Sequence, residues 1–191
     1  MHQLSCNVAF KEWAVTIRAF DRGDQILLLR KGGIHEDGRD FRVLHPEFLM
    51  YPTFEHQKPE LLKEEYHEEL SRVVSEAGGN GAITFGHWAR VEEAIELSDQ
   101  AAVDSLEPYH IWTSDYAQKR LHWKPQHPLA ILLVRLYRLE EPHTLPFSQS
   151  FAGCKSWVQL PEPIRLGEVA PVMSDGDFRT RVQEVKAALK S

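Results

Sequence analysis

The 191-residue chain is 42% hydrophobic and 26% charged, the balance of a packed protein and far from the polar, highly charged regime of disorder. That length supports one substantial core, so a single domain over residues 1–191 is expected. A formal charge of −6 argues against non-specific coating of nucleic acid, which needs a net positive field to release counterions, and leaves room only for a local basic groove.

The N-terminal stretch MHQLSCNVAFKEW has no apolar segment of the kind a secretory leader needs. Residues 13–20 (WAVTIRAF) alternate at period two, and residues 25–29 (QILLL) form a short apolar strand. Asp21-Arg22-Gly23-Asp24 between them is turn chemistry, so the pair is expected as a β-hairpin. The second strand ends in Arg30-Lys31-Gly32-Gly33, whose glycines permit either a strand-ending turn or a close approach of backbone to a ligand. Residues 41–44 and 47–51 are expected as two more short strands around His45-Pro46, with Pro52 ending the second. From 59 to 77 the period changes. Leu62, Tyr66, Leu70, Val73 and Ala77 recur every three or four positions among Glu60, Glu64, Glu65, Glu68 and Glu69. This predicts one long amphipathic helix with an acidic outer face, closed by Gly78-Gly79.

Residues 83–97 begin as a strand, ITFGHWARV, whose continuation EEAIEL reads as either strand or helix. Short helices are predicted over 98–106 and over 114–122 (SDYAQKRLH), the second with Ser114 as N-cap. Residues 128–134 (PLAILLV) are the longest apolar run, far short of the roughly 20 residues a membrane-spanning helix requires, so a cytoplasmic protein with no membrane partner is expected. Residues 129–139 are the strongest strand of the C-terminal half, ended by Glu140-Glu141-Pro142, and 156–160 is a further strand. The proline-rich stretch 142–171 reads otherwise as connecting loops. Cys6 and Cys154 show no CxxC spacing and read as separate thiols. Ser174 and Asp177 form an S-x-x-D capping signature ahead of a stripe of Phe178, Val182, Val185 and Leu189, a helix over about 174–190 that should dock on the sheet. Strands and helices do not alternate strictly. The expected fold is α+β, with a largely antiparallel or mixed sheet, one long amphipathic helix in the middle and a C-terminal helix.

Chemistry concentrates in residues 27–57. Arg30, Lys31, Arg39 and Arg42 can clamp phosphate or carboxylate, while His45, Tyr51, Thr53, His56 and Gln57 supply directional donors and acceptors. These side chains are expected near Lys31 in one cleft. A second cluster, Trp112, Tyr116, Lys119, Arg120, His122 and Trp123, interleaves aromatics with cations as base-stacking surfaces do, unless Trp112 and Trp123 are core anchors. Complete motifs are missing. His67-Glu68-Glu69-Leu70-Ser71 puts serine where a zincin needs its second histidine, and His35, His45 and His56 are widely scattered, so no metal is expected. Lys31-Gly32-Gly33 fits neither a P-loop nor a GxGxxG, and no cofactor is expected. The predicted hairpin resembles the opening of Nudix hydrolases, but EEYHEELSRVVSEAGG lacks their Arg-Glu pair and closing Glu-Glu.

EWAVTIRAF, QILLLRKGGI, FRVLHPEFLMYPTFEHQ, IWTSDYAQKRLHW and PLAILLVRLYRLEEP together resemble the bacterial family called domain of unknown function 1802, over about residues 9–162. The resemblance implies an association with Mrr-like restriction endonuclease domains, hence with restriction or DNA defence. No D…ExK set for cutting DNA is present. Three readings stay open. The first is a module that recognises DNA or another nucleic acid through Arg30, Lys31, Arg39, Arg42, Tyr51, Thr53 and Gln57, assisted by Tyr116 and Arg120. The second is an enzyme on a small phosphorylated or nucleotide-like substrate, with His45 or His56 as general acid or base and Lys31 with Arg42 holding the anion. The third is a structural subunit whose Arg/His cluster is an internal network.

Overall fold

The computed structural model describes residues 4–31, 43–77, 81–123, 125–153 and 155–190. Strand β1 (Ser5–Trp13) runs directly into α1 (Ala14–Asp21). There follow β2 (Leu27–Lys31), β3 (Glu47–Thr53), α2 (His67–Glu76), β4 (Ala82–Leu97), α3 (Gln100–Asp104), α4 (Ser114–His122), β5 (Leu129–Pro146), β6 (Trp157–Arg165), β7 (Val169–Pro171) and α5 (Asp175–Ala188). Seven strands form one mixed sheet in the order β2-β5-β4-β3-β1-β6, with β7 beside β5. β1 and β3 run parallel and the other pairs are antiparallel, which is the expected α+β class.

Period-two alternation divides the strands between two cores. Val8, Phe10, Phe48 and Met50 join Leu70, Val103, Trp112 and Leu121 from the helical segments, whereas Ala9, Leu49 and Tyr51 turn the other way onto Phe85, Trp88 and Phe151. Three strands separate β2 from β1 in the sheet order, yet Arg30 of β2 donates to the Lys11 carbonyl of β1 at 2.9 Å. The sheet therefore curls, in the sense its intrinsic twist favours, until its β2 edge returns to β1.

Several local expectations are corrected. Residues 14–20 are helix and not the first arm of a hairpin, and β2 pairs with β5 instead. Ala14, Val15, Thr16, Ile17, Ala19 and Phe20 are all buried, so no polar face marks the period. Gln57 Oε1 accepts the Val15 N–H at 3.0 Å, giving α1 the cap that Trp13 lacks. The long helix over 59–77 is broken: Leu62 forms a β-bridge with Trp112, and Lys63 N–H donates to the Ile111 carbonyl at 2.9 Å. Single 3₁₀ turns at Pro59–Leu61 and Glu64–Tyr66 precede α2, while the predicted apolar stripe still buries Leu62, Leu70 and Val73.

Prolines also interrupt less than expected. Residues 43–46 are not strand, but Pro52 stays in β3, paired with Glu12 beyond the 47–49 stretch bonded to β4, where a missing N–H is tolerated. EEAIEL continues β4 as strand. β5 runs through Pro142, which falls in the register shift between the Phe85–His143 and His87–Arg138 pairs. The 142–171 stretch holds the tail of β5, β6 and β7 in place of simple loops, and Pro161 and Pro163 sit in edge strand β6 at its own register shift. α4 has the predicted span, but Thr113 caps it, its side chain accepting the Tyr116 N–H at 3.3 Å. α5 is as predicted, with Ser174 Oγ accepting the Asp177 N–H at 3.1 Å. The predicted roles of Phe41, Gly32-Gly33, Gly78-Gly79 and Cys154 lie outside the described residues. Among the described residues, no helix is long and apolar enough to cross a membrane.

Candidate functional site

Arg30 occupies the seam where the curled sheet returns to β1. Its Nη2 donates to Glu12 Oε2 at 2.6 Å, and its guanidinium lies 4.3 Å from the centroid of the Phe10 ring. Glu12 is 7% exposed; its Oε1 accepts the Trp13 N–H at 2.8 Å and its carbonyl accepts from Thr53 Oγ1 at 3.0 Å. Arg30 and Thr53 thus belong to an internal network that closes the sheet, and Arg30 is not turned to solvent as a phosphate clamp. Sequence reasoning missed Glu12. The signal was there: Val8, Phe10 and Glu12 alternate on the core side of β1, and a carboxylate at such a position requires a buried cation.

The other expected side chains do not converge on one cleft. Lys31 is 4% exposed; its Nζ donates to the Leu121 carbonyl in the last turn of α4, and burial pushes its ammonium pKa down. Tyr51 lies in the second core, edge-on to Phe85 at 5.8 Å and to Phe151 at 6.2 Å, where burial and the nearby Glu55 raise its phenol. Gln57 caps α1, and its buried Nε2 has no hydrogen-bond partner among the described residues. His45 is half-buried against Trp157, ring centroids 5.0 Å apart. His56 is exposed in a turn with φ +64°, a left-handed conformation uncommon for a non-glycine residue. No hydrogen bond or ring contact joins either histidine to Lys31 among the described residues. Arg39 and Arg42 lie outside the described residues. Nor do the described residues contain three or more His, Cys, Asp or Glu grouped to hold a metal ion.

The second cluster holds together and divides by depth. Trp112 is 1% exposed and stacks on Tyr116, centroids 5.4 Å apart, while Tyr116 also meets Trp13 at 5.6 Å. Burial raises the Tyr116 phenol, and the Arg120 guanidinium lies over its ring at 5.0 Å. Ala117 and Leu121 point α4 into the core, which leaves Lys119, His122 and Trp123 on the outside. Trp112 is therefore a core anchor, and Trp123, 52% exposed, is not.

The family model described as "Domain of unknown function (DUF1802)" matches residues 9–184. The chain belongs to the DUF1802 family. That match extends beyond the resemblance read from the sequence, from β1 into α5, and takes in both clusters. No curated protein matches this DUF1802 chain significantly. Among solved structures, it is similar to a mutant of the ZmASCH protein from Zymomonas mobilis, at 9% identity over 94% of this chain and 98% of that one. The TM-score is 0.44, and at that level the likeness carries no argument. Any function for this DUF1802 chain must come from the chemistry of its own surface.

Proposed function

We propose that this DUF1802 chain recognises nucleic acid, and takes it as a single strand, at the C-terminal end of α4. Trp123 offers a ring for a base, the guanidinium plane of Arg120 offers a second stacking surface, and Lys119 meets phosphate. The observation that carries the reading is the 52% exposure of Trp123 on the same helix end as Lys119 and Arg120. A tryptophan ring exposed to that extent, beside two cations, presents a face on which a base can stack. Bulk electrostatics speaks against a duplex footprint: Arg18, Arg22, Arg72, Arg90, Arg135, Arg138 and Arg181 each face a carboxylate.

Fluorescence polarisation tests this, with a labelled strand of DNA, the same sequence of RNA and the corresponding duplexes, each at two salt concentrations. Tighter binding to the single strands is expected. Tighter binding to duplex, or no binding to any of the four, overturns the reading.

A further inference from the structure

We propose that Lys31 is a positioning residue for the α4 interface, a role that rests on the nucleic-acid reading above. A lysine 4% exposed is unusual, because this residue is almost never fully buried without a counter-charge. Among the described residues no carboxylate pairs with Lys31; its ammonium donates to the carbonyl of Leu121. Desolvating a cation against one neutral carbonyl is a poor way to hold a fold together, since an apolar side chain of the same length would serve at least as well there.

What the lysine does supply is direction. The last carbonyls of a helix have no partner within it, and a cation beside them satisfies one and matches the negative end of the helix dipole. Leu121 lies between the residues of the proposed interface, one position after Arg120 and two before Trp123. The chain leaves the helix there: the Trp123 N–H closes the final turn on the Lys119 carbonyl at 3.0 Å, and Trp123 itself is extended, with ψ of 123°. Lys31 therefore fixes the turn that sets Lys119, Arg120 and Trp123 relative to one another, from a strand packed beneath it.

The test is Lys31→Met, which keeps the length and loses the ammonium. Two readouts are compared with the unaltered protein: affinity for a labelled single strand, and amide hydrogen exchange of Leu121, His122 and Trp123. The expected result is about tenfold weaker binding, the scale of one misplaced stacking contact. Faster exchange in that last turn should accompany it, with a melting temperature within about 4 °C of the original. Equal affinity, or unchanged exchange, overturns the role, as does weaker binding accompanied by a larger loss of melting temperature, which would make Lys31 a general support of the fold. Failure of the unaltered protein to bind any oligonucleotide overturns the nucleic-acid reading and this role with it, whereas equal binding by both proteins overturns the role alone.

Discussion

At Arg30 and Glu12, two charges removed from water are held by one geometry. Their side chains are 13% and 7% exposed, so losing either partner leaves the other charge buried and uncompensated. Glu12→Ala should cost about 3–5 kcal/mol of unfolding free energy by urea titration, against the 0–1 kcal/mol typical of an exposed pair. His110 makes a separate prediction. It is 3% exposed, and burial pushes its pKa down to about 4 from 6.5. The unfolded chain therefore takes up this proton first as pH falls, and the stability associated with the neutral ring is lost between pH 6.5 and 4. A loss of about 3 kcal/mol is expected across that window, and in His110→Phe this part of the pH dependence should disappear. The sequence made Arg30 and Lys31 conspicuous without revealing which way they face. That depends on Glu12 and Leu121, brought to them by a curl of the sheet and by helix packing that no local pattern encodes.

For the elements, legibility followed the clarity of the period. α4 and α5 alternate apolar and polar positions at helical spacing and carry their caps beside them, so both were readable. α1 is buried almost throughout and takes its cap from Gln57, 42 residues away, so nothing local distinguished it from a strand. Gln57→Ala should accordingly destabilise the protein by about 1 kcal/mol, as loss of a helix N-cap does, measured by urea unfolding. The break ahead of α2 was hidden for a related reason. The bridge between Leu62 and Trp112 keeps Leu62 in the core, so the apolar stripe looks the same whether or not the backbone is helical.

Across the whole molecule the charge is −6, and among the described residues many of the arginines are paired with carboxylates, which leaves the cations of α4 as a small patch. With one phosphate met by Lys119, log affinity for a single strand should fall with log salt at a slope of only about −0.7, the value of a single contact. The α+β class and the family were legible from element order and motif. The location of the proposed interface was only half so, because the depth that separates Trp112 from Trp123 depends on how α4 sits on the sheet. That separation makes Trp123→Ala, with single-strand affinity and melting temperature measured on the same preparation, the most direct test of the interface. An exposed side chain can be removed with a stability change within about 0.5 kcal/mol. The account predicts affinity weaker by about tenfold or more at an unchanged melting temperature. Unchanged affinity would contradict it.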